Sequence, residues 1–352
     1  MDAAKALREF LPDRLFDAHA HLFDSAFLPE LCAQGKAAVR YELEDYRRDM
    51  ARLVGDTRKI RLNIIPYPDA SMADPESGTL RQTDLFVRQE LEKDPANTGE
   101  LMVTPQEDLE HISNRLQGRQ LRGFKCYHTL CSARDTFRLD IAQYLPERAW
   151  ELADRMHMAI TLHMVKDTAL ADEENLRYIR RMAKKYPNAV LILAHAARAF
   201  AAWTGVESIP KVADLENVWF DLAAVCESPA IVQIFKKTGT KRCMWGSDYP
   251  VSSWAGKVVS LADGFCWLYD VEYRKLPDAP EPWTIGMETI MAIRQACILE
   301  ALSEDQIEDI FYNNAAGLFA HETGTGGSRN GSDKSSGSAQ VSDAAQTLCR
   351  RV

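Results

Sequence analysis

The chain has 352 residues, 46% of them apolar, and a formal net charge of −9. That length and apolar content allow a large core, and the acidic surplus repels phosphate backbones, which argues against nucleic acid as a general partner. Eight cysteines without C-x-x-C spacing, no charged-then-apolar leader pattern and no run of about 18 apolar residues lead us to expect reduced thiols, a cytoplasmic home and no membrane span.

Short apolar runs alternate with amphipathic stretches along the chain. RLFDAHAHL reads as a first strand ending in histidines, and LEDYRRDMARL as an amphipathic helix. KIRLNIIPYP is a second strand stopped by Pro66 and Pro68, and TLRQTDLFVRQELEKD the next helix. ELMVTP, closed by Pro105, and LRGFKCYH read as strands three and four, with the helix PQEDLEHISNRLQ between them. The helix PERAWELADRMHM leads into strand five, AITLHM, and EENLRYIRRMAKKYP into strand six, NAVLILAH. VWFDLAAV is the seventh strand and KRCMWGSDYP the eighth.

Continuous apolar strands separated by helices of about ten to fifteen residues indicate a parallel sheet. Eight such units favour an α/β fold closed as a (β/α)8 TIM barrel over an open doubly wound sheet. The absence of G-x-G-x-x-G after the first strand counts against dinucleotide binding. Residues 1–321 form the expected barrel domain. Within it, an aromatic and proline-rich insertion at about 256–285 follows strand eight and is expected to fold over the mouth. Two closing helices come next, with Ser303 and Gln306 spaced as a capping box. Residues 322–352 collapse to Gly, Ser, Asn and Asp and are expected to be a disordered tail.

The chemistry-bearing residues share one position in this scheme. His19 and His21 close strand one, Lys125 strand four, His163 strand five, His195 strand six and Asp248 strand eight. The carboxyl ends of barrel strands meet at one mouth, so these residues converge. A two-residue spacing on a strand turns both His19 and His21 to one side, which is half of a zinc site. His163 and Asp248 complete a four-donor set that suits zinc and would also accept Mn, Fe or Co. Each residue alone has a plain reading: a strand-end histidine is more often structural, and Asp248 after Gly-Ser could cap a turn. Their joint placement favours the site.

With those motifs in view, the H-x-H of strand one, the histidines ending strands five and six and the G-S-D-x-P of strand eight resemble the amidohydrolase superfamily. The likeness is closest to its amidohydrolase-2 branch, which holds aminocarboxymuconate-semialdehyde-type decarboxylases beside hydrolases and lactonases. It spans roughly residues 13 to 320. The resemblance implies a (β/α)8 fold and a bound divalent metal held by His19, His21, His163 and Asp248. It also implies a catalytic role for His195 beside the metal. A Lys ending strand four is carboxylated and bridges two ions in two-metal members. Lys125 in GFKCYH resembles that arrangement, and pairing with a substrate carboxylate or an Asp is its alternative.

Three functions are compatible with this reading. The first is hydrolysis of a small carbonyl substrate by an activated water, with Asp248 as proton acceptor and donor and His195 stabilising developing charge. The second is non-oxidative decarboxylation with the same ligands, and the third is an inactive barrel kept for binding. Substrate contacts are expected from Arg198, Tyr67, Tyr127, His128 and Tyr249, with Arg198 suited to a carboxylate. Cys126 and Trp245 read as packing, and His111, His157 and His321 as surface or structural. The partner is a small molecule; the apolar FCWLYDVEY would serve as a lid or a homodimer contact.

Overall fold

A parallel strand cannot return by a tight turn, so each crossover here carries a helix, and eight such units curl the sheet until its edges meet. The computed structural model describes residues 3–33, 38–133, 135–278 and 280–320. Within it the eight barrel strands are β1 (Arg14–His21), β2 (Lys59–Ile65), β3 (Thr98–Met102), β4 (Leu121–Cys126), β5 (Ala159–Leu162), β6 (Val190–Leu193), β7 (Val218–Asp221) and β8 (Cys243–Met244). They pair in that order, all in parallel. The residues after β8 close the ring onto β1: Ala18 donates to Trp245 O at 3.0 Å, Asp248 to His19 O at 2.7 Å and His21 to Tyr249 O at 2.8 Å.

The helices present their apolar stripes to the outside of the barrel. Leu43–Val54 buries Leu43, Tyr46, Met50 and Val54, and Glu173–Lys185 buries Asn175, Ile179 and Met182, positions three or four apart. The main core fills the layer between strands and helices. A second cluster at the amino ends of the strands, with Phe16, Ile192 and Met244, is plugged by Phe319 from the last helix, whose ring stacks on Phe16 at 5.8 Å. The space between β4 and β5 is so tight at Gly123 that a Cβ there would lie 2.5 Å from Ala159 O.

Further elements complete the picture. A helix at Ala3–Phe10, absent from the sequence reading, packs on Ile285–Leu299. The expected capping box forms, with Ser303 Oγ accepting from Gln306 N at 3.3 Å and Gln306 Oε1 from Ser303 N at 3.0 Å. The insertion is a two-stranded antiparallel hairpin, β9 (Gly256–Leu261) and β10 (Gly264–Tyr269). Its Phe265 and Trp267 pack on Phe200 of the loop after β6, at 5.3 and 5.1 Å. The expected tail at 322–352 and His321 lie outside the described residues. Among the described residues no helix is long and apolar enough to cross a membrane.

Candidate metal centre

Strand β1 delivers its two histidines through an irregularity. The register with β2 shifts between Asp17 and Ala20, a bulge that re-aims side chains. Asp17 turns outward, where its carboxylate accepts from Tyr46 OH at 2.9 Å, Ser247 N at 2.8 Å and His19 N at 3.1 Å. His19 and His21 turn to the mouth, and their Nε2 atoms face each other at 3.2 Å.

The other ring nitrogens decide what those Nε2 atoms can do. His21 Nδ1 meets the carbonyl of Pro66 at 3.0 Å and His195 Nδ1 that of Ala223 at 2.9 Å. A carbonyl only accepts, so Nδ1 carries the proton in both, and Nε2 of the neutral ring keeps its lone pair. His19 Nδ1 meets Asp221 Oδ2 at 2.9 Å with the same consequence. Burial, with Lys125 adding to it, holds His19 down at about 4, so its ring is neutral at neutral pH.

Asp248 brings Oδ1 to 3.4 Å from His21 Nε2 and 3.6 Å from His19 Nε2. Burial alone would raise its pKa, but a positive charge on the rings of His195, His21 or His19 outweighs that and holds it well below the carboxylate range. Lys125 is buried at the end of β4, with Nζ at 3.1 Å from His19 Nε2. Burial lowers its pKa against the pull of Asp221, Glu100 and Asp248. Two groups of donors therefore lie within 4.8 Å of one another: His19, His21 and Asp248, and His19, His195 and Asp221. Facing lone pairs at 3.2 Å repel unless a proton or a cation sits between them. The first group, two imidazoles and one carboxylate, fits a divalent cation of the zinc type.

His163 lies one residue past β5, partly buried, with its ring 5.1 Å from His195 and 4.5 Å from Tyr127. It belongs to neither close group. Burial first, then His195 and Lys125, keep its pKa well below the usual imidazole value. His195 begins a left-handed turn: His195, Ala196, Ala197 and Arg198 all have φ between 51° and 64°. Such backbone costs roughly 1–2 kcal/mol per non-glycine residue. Local bonds hold it, with His195 N donating to Asp221 Oδ1 at 2.9 Å and Ala199 N to His195 O at 2.9 Å. The turn aims Arg198 at the mouth, where its guanidinium donates to Lys166 O at 2.9 Å and lies 5.1 Å over Phe265 of β9–β10.

Tyr67 sets its ring edge-on to His21 at 5.7 Å, and His128 lies 4.8 Å from Tyr127 with Nδ1 bonded to Thr136 Oγ1. Tyr249 corrects the sequence reading. It is fully buried on the outer side, packed on Tyr41 and Tyr46, with its hydroxyl donating to Asp49 at 3.0 Å. Tyr249 bridges to Ala20 of β1, whose side chain also lies in the outer core, and Cys126 is likewise buried outside the barrel as expected. His111 is an exposed helix residue beside Glu107, His157 ends a helix, and Trp245 packs on Phe311, all as expected.

Two residues escaped the sequence reading. Asp221 ends β7 and holds His19, and Glu100 sits in the barrel interior, accepting from Asn63 and Thr161 at 3.0 and 2.8 Å. Both lie on strands whose neighbours end in site residues, which was the available signal.

No curated protein sequence matches the chain. Solved structures share its fold. A zinc-bound amidohydrolase from Burkholderia multivorans is 15% identical, with a TM-score of 0.56, covering 87% of this chain and 99% of its own. The 5-carboxyvanillate decarboxylase of Sphingomonas paucimobilis is 16% identical, TM-score 0.53, with 88% and 99% covered. The 4-oxalomesaconate hydratase of Rhodopseudomonas palustris is 11% identical, TM-score 0.57, with 87% and 96% covered. The amidohydrolase family model matches residues 16–320, from within the first barrel strand to the end of the described chain. A match of that extent makes this protein a member of the amidohydrolase family, as its strand-end residues led us to expect.

Proposed function

We propose that the protein is a metal-dependent hydrolase that uses water to split a small carbonyl compound: an amide, a lactone or a related C–N or C–O bond. The observation that supports this reading is the convergence of His19 Nε2, His21 Nε2 and Asp248 Oδ1, with the opposite ring nitrogens committed to Asp221 and a carbonyl. These three residues, with His163 as fourth donor, would hold a divalent cation, zinc before Mn, Fe or Co, which supplies water activation and carbonyl polarisation when bound.

The chain's own residues account for the remaining steps. Asp248 stays ionised at neutral pH and accepts the proton of the attacking water, then returns it to the leaving group. His195, its Nδ1 fixed on Ala223 O, presents Nε2 to the same space and, with a second proton taken from solvent, would donate to the developing oxyanion. Arg198, Tyr67, Tyr127 and His128 surround the substrate, with Arg198 taking an anionic group. We favour one cation. A carboxylated Lys125 bridging two ions is the alternative, and the added mass of carbon dioxide on Lys125 would reveal it.

Asp248→Asn tests the reading. Turnover should fall about 10²–10⁴-fold, the usual contribution of a general base, with the circular dichroism spectrum intact. Wild-type rates in that variant would remove the proton-transfer role. Carbon dioxide release from a panel of aromatic and enol carboxylic acids, without hydrolysis of any carbonyl compound, would move the assignment to decarboxylation. Two solved structures of this fold are named for that reaction. A purified protein without stoichiometric metal, unaffected by His21→Ala, would instead mean an inactive binding barrel.

A further inference from the structure

A cavity of about 100 Å³, partly open to solvent, lies on the β1–β2 side of the mouth. Phe23, Leu31, Val39, Tyr41, Tyr67 and Trp254 form most of its wall. Tyr67 is shared with the metal centre: one edge contacts His21, and its ring lies 4.6 Å from Phe23 inside the cavity. Pro250, two residues after Asp248, closes the side nearest β8. Tyr67 is thus the wall shared by the cavity and the His21 side of the metal centre.

Its chemistry is one-sided. Among the described residues no charged side chain lines it. Ser25 brings polar atoms, but its hydroxyl accepts from Val39 N at 2.9 Å and its carbonyl from Cys32 Sγ at 2.9 Å. Water there would find few partners, and a cavity walled by aromatic and aliphatic groups favours apolar occupants. Arg198 stands across the mouth, because β6 lies opposite β2 in a ring of eight strands.

We propose that this cavity receives an apolar arm of the substrate, so that the substrate is an amphiphilic acyl compound. Its scissile carbonyl lies at the His19–His21–Asp248 centre, its apolar arm against Tyr67 and Phe23, and its anionic group toward Arg198. This rests on reading the donor set as the reaction centre.

Linear alkyl hydroxamates separate the two ideas, because the chelating head is constant and only the tail varies. On zinc-loaded protein, calorimetric affinity should rise about three- to fourfold per methylene from acetohydroxamate to octanohydroxamate, until the cavity is full. Val39→Trp fills the cavity and leaves its backbone N–H bond to Ser25 in place; it should flatten that series, and Cys32→Trp serves if the first variant fails to fold. Acetohydroxamate, lacking a tail, reports the metal centre alone. If it binds and longer tails add nothing, the cavity assignment is overturned and the metal centre stands. If it does not bind, the metal reading fails. Protection of Cys32 from iodoacetamide by octanohydroxamate in metal-stripped protein then decides the cavity: slowed alkylation upholds it, and unchanged alkylation overturns it.

Discussion

Replacing Asp221 by Asn alters a single function while keeping size and shape. In the native chain Oδ2 accepts from His19 Nδ1 at 2.9 Å, while Oδ1 accepts from His195 N at 2.9 Å and Ala223 N at 3.2 Å. An amide can keep its oxygen on the two backbone donors, so the turn after β6 is preserved. Its NH2 must then face His19 Nδ1, which can only remain bonded by giving up its proton. That proton moves to Nε2, the nitrogen aimed at His21 and Asp248, and removes the lone pair a cation needs. A buried hydrogen bond to a charged group is worth about 1.5–3 kcal/mol, or roughly tenfold to a hundredfold in an equilibrium constant. Loss of the partner behind a ligating histidine typically costs about 10–100-fold in metal affinity, so the two routes agree. The assay is zinc titration of metal-stripped protein against a competing chelator, with thermal unfolding of the stripped protein as control. Wild-type zinc affinity in Asp221→Asn would refute the reasoning, because His19 could not then be binding through Nε2.

Other outcomes follow from the same geometry. Burial pushes Glu100 up to about 7, against contributions from Thr161, Lys125 and Asn63 that lower it. The folded chain therefore holds a proton that the unfolded chain has lost between pH about 4.5 and 7, and stability falls as pH rises through that window. Glu100→Gln should remove about 3 kcal/mol of that decline, read from urea unfolding at several pH values; an unchanged pH slope would exclude Glu100 as its source. Gly246→Ala would place a Cβ 2.8 Å from His19 Cβ and 3.2 Å from Ala223 Cβ, costing about 1–3 kcal/mol and weakening zinc binding; unchanged affinity would mean that His19 can shift freely. Arg198→Gln should raise KM for carboxylate-bearing substrates by about 10–100-fold while sparing neutral ones, and a uniform loss across both would argue against anion recognition.

The barrel is legible because each strand but the seventh announces itself locally, as an apolar run ending in Pro, His, Lys or Asp. Pattern could not show how β8 is cut short. Only Cys243 and Met244 pair as strand; beyond them the backbone closes on His19 at Gly246 and turns left-handed at Asp248. The hairpin β9–β10 reads in sequence only as an aromatic insertion, because its two-residue turn is Ala262-Asp263 and lacks the Gly-containing pair that marks most tight hairpins. His19, His21, Lys125, His195 and Asp248 could be picked out because strand ends share one rim. Asp221 could not be singled out, since in VWFDLAAV it is one acid in an apolar run; its role exists only through His19, 202 positions away. Tyr249 faces the outer core because the left-handed turn at Asp248 and the bridge to Ala20 set its direction, and neither is visible in sequence.

His195 and Arg198 ride on the same wrong-handed loop, one at each end, with two buried alanines between them. Lengthening, shortening or straightening that segment swings both side chains at once. Efforts to retune substrate preference would therefore fare better on the Phe23 and Val39 side of the opening, where the wall can change without moving His195 and Arg198.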